Sequence, residues 1–234
     1  MSVLGVLAEA WRLYRALFWR SLLITAAVFL VLDGVGAAAE SAADAQWTLT
    51  LAGIFISVLT GFGDLVVEGA LAEDGRDVHE GRELPSLRRL TGRMAPRIGL
   101  LLVASLVYAA GTNLGLLLLV VPGLIVATRW SLIVPVIVLE ERGIREGFRR
   151  SSGLVKGHGW RVFSIVAIVF IASGIIEALL HELFFWIPEY YADLVGGYLA
   201  SLIAAPYVAH ALAVLYYRLA ELEPGYRSGS SSAG

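Results

Sequence analysis

The 234-residue chain has no cysteine, which excludes disulfides and thiolate metal sites. It is also poor in charge. Asp, Glu, Lys and Arg make up 16% of the residues, where a soluble globular domain carries about a quarter. A Walker loop, a nucleophile elbow, a zinc motif and a glycine-rich dinucleotide fingerprint are all missing. These absences leave no expected catalytic residue, cofactor or metal. What is present is apolar surface: 58% of residues are hydrophobic and the mean hydropathy is +0.75. Several windows exceed the roughly 18 apolar residues that mark a membrane-spanning helix.

Hydropathy predicts an all-α integral membrane protein, a six-span helical bundle with short cytoplasmic interfacial helices. Residues 1–220 form a single transmembrane domain, with spans at about 19–39, 47–70, 98–121, 122–139, 160–180 and 194–219. Residues 221–234 are expected to be a disordered tail. A competing division turns the chain at Gly111-Thr112-Asn113, but leaves the third span too short to cross. Residues 40–46 read as an acidic turn, residues 71–97 as a polar loop broken by Gly75, Gly81 and Pro85, and 140–159 as a basic loop. The aromatic-rich segment after the fifth span, with Phe184, Phe185, Trp186, Tyr190 and Tyr191, suits the headgroup level. The apolar run after Arg12, Arg15 and Arg20 has features of a signal peptide, but its long polar lead-in and the later spans favour a retained first span.

Charge sets the expected orientation. Every lysine and arginine except Arg129 falls before the first span, in the loops 71–97 and 140–159 or their junctions with the next span, or in the tail. Asp33, Glu40, Asp44, Glu189 and Asp193 mark the opposite side. The positive-inside rule then places both termini and the two long loops in the cytoplasm, and the protein is expected to be a multi-pass protein of the cell (inner, cytoplasmic) membrane. Basic lead-ins recur before spans one, three and five: residues 7–20 with Leu7, Trp11, Tyr14 and Phe18 at helical spacing, residues 86–97, and residues 146–161. They are either three copies of one unit, an interfacial helix followed by a hairpin, or what any cytoplasmic lead-in looks like.

Arg129 is the first candidate functional residue, because an arginine inside a span costs several kcal/mol unless paired or hydrated. Snorkelling and a structural ion pair compete with that reading. Asp64 and Glu68, one turn apart, are expected to pair with Arg150 or Arg97. Glu177, His181 and Glu182 with His210 offer metal-ligating groups but no second carboxylate–histidine pair, so no metal site is expected. Gly111 and Gly115 permit close helix approach. Arg149, Arg150, Ser151, Lys156 and Trp160 form a cytoplasmic cluster suited to anionic headgroups.

Pro122-Gly123, Arg129-Trp130, Pro135, Glu140, Gly147-Phe148-Arg149-Arg150-Ser151, Leu154-Val155-Lys156-Gly157 and Trp160 together resemble the membrane domain attached to some glycerophosphoryl diester phosphodiesterases and related stand-alone bacterial inner-membrane proteins of unknown function. Those relatives have alanine where Gly147 stands. The phosphodiester chemistry of the fused relatives belongs to a soluble barrel that nothing here matches. The resemblance therefore implies a membrane protein without that activity. The expected function is non-enzymatic contact with lipid or assistance in membrane assembly. The alternative is a small-solute or lipid transporter or channel, with Arg129, Glu177 and His210 along a polar path. The expected partner is the bilayer with its anionic headgroups, and not nucleic acid.

Overall fold

The computed structural model describes residues 2–41, 46–184, 186 and 189–223, without the side chains of 40, 41, 46, 47, 49 and 189–194. The expected turn after Ser41, much of the aromatic-rich segment and the tail from 224 lie outside the described residues. Among the described residues, ten α-helices run in order: α1 (Val3–Ala16), α2 (Phe18–Ser41), α3 (Gln46–His79), α4 (Leu87–Met94), α5 (Ile98–Leu118), α6 (Val120–Trp130), α7 (Ile133–Leu139), α8 (Ile144–Val155), α9 (Gly159–Leu183) and α10 (Glu189–Ala220). A 3-10 turn, Ala95–Arg97, joins α4 to α5. No strand occurs among the described residues. Six helical stretches are long and apolar enough to cross a membrane, α6 and α7 counting together as one.

The element order repeats. A short amphipathic helix (α1, α4 or α8) precedes each of three hairpins, α2–α3, α5 with α6–α7, and α9–α10. The short helices bury one stripe each: Val6, Ala10 and Tyr14 on α1, Leu90 and Met94 on α4, and Gly147, Ser151, Leu154 and Val155 on α8. Ser2 caps α1 by accepting a hydrogen bond from the Gly5 amide at 3.1 Å. The long helices instead expose leucine, isoleucine and valine broadly, as at Leu30, Leu117 and Ile171. That pattern suits hydrocarbon as the surrounding solvent.

Two departures from the expected spans have identifiable causes. The fourth span is broken at Ser131-Leu132 into α6 and α7. Pro135 lies four residues beyond Ser131 and has no N–H to continue the ladder. Ser151 bridges the break, donating to the Arg129 carbonyl at 2.8 Å and accepting from the Leu132 amide at 3.2 Å. The second departure is α3, which continues to His79 through what reads as polar loop. Its last turns bury Glu73, Asp74 and Asp77 almost completely, which arginines from neighbouring elements make possible.

The core lies around α7, whose residues 133–138 are all buried. One cluster joins Leu132 and Val136 to α1, α8, α9 and α10 through Val6, Leu154, Ile165 and Leu215. The other joins Ile133 and Ile137 to α3 and α5 through Val67, Leu71 and Leu101, with Phe29 of α2. At the opposite end the α5–α6 hairpin turns at Leu119 on a glycine contact. A Cβ on Gly115 would lie 2.7 Å from the Gly123 Cα, and a Cβ on Gly123 would lie 2.6 Å from the Leu116 nitrogen. Gly111 makes room for the Trp130 ring.

Candidate functional site

Four of the long helices carry polar residues at a spacing of three and four. On α3 these are Ser57, Thr60, Asp64 and Glu68; on α5, Ser105, Tyr108 and Thr112. On α9 they are Ser173 and Glu177, and on α10 Tyr198 and Ser201. That spacing puts each set on one helix face. The faces converge, with Asp33 and Phe29 of α2 and Trp130 of α6, on one cavity of about 710 Å³. Ile133, Leu212 and Ala209 lie at its apolar margin, and the second core cluster includes Ile133, Ala209 and Phe29.

The cavity is acidic and rich in acceptors. Asp33, Asp64, Glu68 and Glu177 line it, and no lysine, arginine or histidine does so among the described residues. Asp64 lies within electrostatic reach of both Glu68 and Glu177. The Glu68 Oε1 atom is buried and meets no hydrogen-bond donor. Several lining side chains spend their protons on their own helices. Ser57 donates to the Gly53 carbonyl at 2.9 Å, Ser105 to Leu102 at 2.7 Å, Ser173 to Val169 at 3.0 Å, and the Asn113 amide to Ala109 at 2.8 Å. Their remaining lone pairs are acceptors.

Of the residues singled out from the sequence, Asp64, Glu68 and Glu177 line the cavity and the others fall elsewhere. Arg129 is exposed, and its guanidinium meets no carboxylate among the described residues. It does not line the cavity, because the next residue, Trp130, occupies that face and packs on Phe148. Successive helical residues point about 100° apart. Of the expected path Arg129, Glu177 and His210, only Glu177 reaches the cavity. His210 is buried elsewhere, with Nε2 3.0 Å from Ser21 Oγ. Arg149, Lys156 and Trp160 are exposed at the surface, while Ser151 is consumed by the α6–α7 break.

Glu140 and Arg150 belong to a structural network. Glu140 accepts hydrogen bonds from Arg142 at 2.8 Å, Arg150 at 2.9 Å and the Tyr216 hydroxyl at 3.1 Å. Arg150 also grips Glu223 with two bonds of 2.6 Å. Burial pushes the Glu140 carboxyl up, but the bonds from Arg142 and Arg150 prevail and hold it below its ordinary value of 4.5. The same partners, Glu223 foremost, raise the Arg150 guanidinium.

The expected pairing of Asp64 and Glu68 with Arg150 or Arg97 is not what forms. Arg97 instead bonds Glu73 at 2.8 Å and Glu141 at 2.7 Å. Arg20 grips Asp74 at 2.5 and 2.9 Å and donates to the Pro85 carbonyl at 2.8 Å. Asp77 receives Arg82 at 2.8 Å and Arg93 at 2.9 Å. The arginine-bearing end is thus tied across α2, α3, α4 and the 3-10 turn, with the paired carboxylates on α3 below the unpaired ones. The sequence signal for the cavity was the polar stripe Ser57-Thr60-Asp64-Glu68, masked by the apolar residues between.

No curated protein and no solved structure matches the chain. A family model does match, and nothing in that match links the chain to glycerophosphoryl diester phosphodiesterases. It begins at α4 and takes in the second and third helix–hairpin units; Glu177 and Tyr108 lie within it, Asp33, Asp64 and Glu68 outside. The model for a domain of unknown function, DUF7847, matches residues 87–219, more than half of the chain, and the protein belongs to that family.

Proposed function

We propose that this is a non-enzymatic multi-pass membrane protein that admits a small solute from one side of the bilayer into the cavity between α2, α3, α5, α9 and α10. The supporting observation is the cavity itself: about 710 Å³, within the 300–1,000 Å³ range of small-molecule sites, inside helices long enough to cross a membrane. Ionisable groups there would be costly against lipid tails and are tolerable beside a hydrated space. The positive-inside rule orients the arginine-bearing end and both termini to the cytoplasm of the inner membrane. The cavity then opens away from the cytoplasm, since the ion-paired end and α7 close it below.

A second reading concerns the surface. Arg149, Lys156 and Trp160 are exposed together on and just after α8, Trp160 by 79%. They suit contact with anionic headgroups, each basic residue contributing about 1 kcal/mol at an anionic surface. This contact would anchor the bundle without replacing its cavity.

The absence of native cysteine makes the test direct. Single cysteines at Thr60 and Ser201 are expected to react with a membrane-impermeant thiol reagent added outside intact cells, while one at buried Leu71 stays unlabelled. If Thr60 and Ser201 resist the reagent as Leu71 does, the cavity is not a solute pathway.

A further inference from the structure

Taking the cavity as a solute site, we infer that its ligand is a small organic cation carrying N–H donors, a protonated amine, held by Asp64, Glu68 and Glu177. Charge sets the sign of the ligand. Four carboxylates face the cavity with no basic side chain among the described residues to neutralise them. On the same helix, by contrast, Glu73, Asp74 and Asp77 each meet an arginine. An anion would meet repulsion from the α2, α3 and α9 walls. A solute without a donor would leave the buried Glu68 Oε1 unsatisfied, a costly arrangement in a low-dielectric interior.

Hydrogen-bonding capacity sets the ligand's chemistry. Ser57, Ser105 and Ser173 have committed their hydroxyl protons to backbone carbonyls and keep only lone pairs, while Asn113 has committed one of its two amide protons and keeps its carbonyl oxygen. The complement of this acceptor excess is a ligand rich in donors, which describes an ammonium group. Size and composition separate an organic cation from a bare metal ion. No group of three or more His, Asp or Glu side chains among the described residues could hold a metal. A space of about 710 Å³ far exceeds one ion. Tyr108, Tyr198, Trp130 and Phe170 supply aromatic wall, which favours a cation's organic body and its charge together.

The experiment uses the full chain in nanodiscs, with empty nanodiscs subtracted, and compares phenethylammonium with its neutral isostere 2-phenylethanol and the anion phenylacetate by calorimetric titration. Phenethylammonium is expected to bind at least tenfold more tightly than 2-phenylethanol, with phenylacetate weakest. The Asp64→Asn/Glu68→Gln variant should lose at least tenfold in affinity for the amine while keeping its affinity for the alcohol, which also reports that the cavity remains folded. Equal binding of amine and alcohol, tighter binding of phenylacetate, no binding of the amine, or amine binding indifferent to the double substitution would each overturn the inference. Such a result beside outside labelling of Thr60 and Ser201 cysteines removes the cation alone. Failure of the labelling removes the solute site itself.

Discussion

Helix α3 carries two sets of carboxylates a few turns apart, and the protein treats them oppositely. Glu73, Asp74 and Asp77 are at most 1% exposed and are met by Arg97, Arg20, Arg93 and Arg82. Asp64 and Glu68, about two and a half and one and a half turns before Glu73, face an open cavity with Glu177 and have no basic partner among the described residues. A buried charge persists only with a partner or with water. The first set meets that condition with arginines from α2, the loop after α3, α4 and the 3-10 turn, which ties those elements together at the arginine-bearing end. The second meets it with space. Paired carboxylates tie neighbouring elements to α3; unpaired ones line the cavity.

The comparison can be broken at its strongest pair. Arg20→Ala leaves Asp74 buried without its bidentate partner and should lower unfolding stability by about 3 kcal/mol, read as a drop in Tm of the detergent-solubilised protein. Arg20→Ala/Asp74→Ala should recover part of that loss, because neither member of the pair then remains alone. A Tm unchanged by Arg20→Ala would make the ionic end decorative.

The unpaired set should respond with the opposite sign. Glu68→Gln removes a charge that folding leaves without a partner, and is expected to raise stability by up to about 1 kcal/mol. Destabilisation by Glu68→Gln comparable to that of Arg20→Ala would erase the distinction between the two sets.

The smallest effect concerns acid. The folded-state value of Glu140 is lowered, so its contribution is present above its ordinary 4.5 and is lost as pH falls through the folded value. Tm should hold from neutral pH down to that range and then decline. In Glu140→Gln it should start lower, by about 1 kcal/mol of stability, and decline less steeply. Equal acid slopes in the two proteins would remove Glu140 from the network's pH response.

Much of the architecture was readable from one dimension. A chain crossing hydrocarbon must satisfy its backbone hydrogen bonds internally, so long apolar runs can only be helices, and six stretches of the described chain have that length and character. The amphipathic lead-ins were legible for a similar reason: an apolar stripe at helical spacing beside arginines has one face to bury, as Val6, Ala10 and Tyr14 do. Arginine and aspartate at positions 73–82 misled, because polarity by itself reads as loop. Only neighbours distant in sequence, such as Arg20 and Arg93, turn that segment into buried helix.

Span number, helix periodicity and the clustering of positive charge were therefore the sequence's to determine, since each depends on residues within a turn or a span of one another. Which carboxylates would be neutralised, that Arg129 would face outward while Trp130 turned in, and that polar stripes on α3, α5, α9 and α10 would enclose one acidic cavity were decided by tertiary structure alone. Those outcomes depend on how five helices are rotated about their axes, and rotation is set by packing between segments that the linear order keeps far apart.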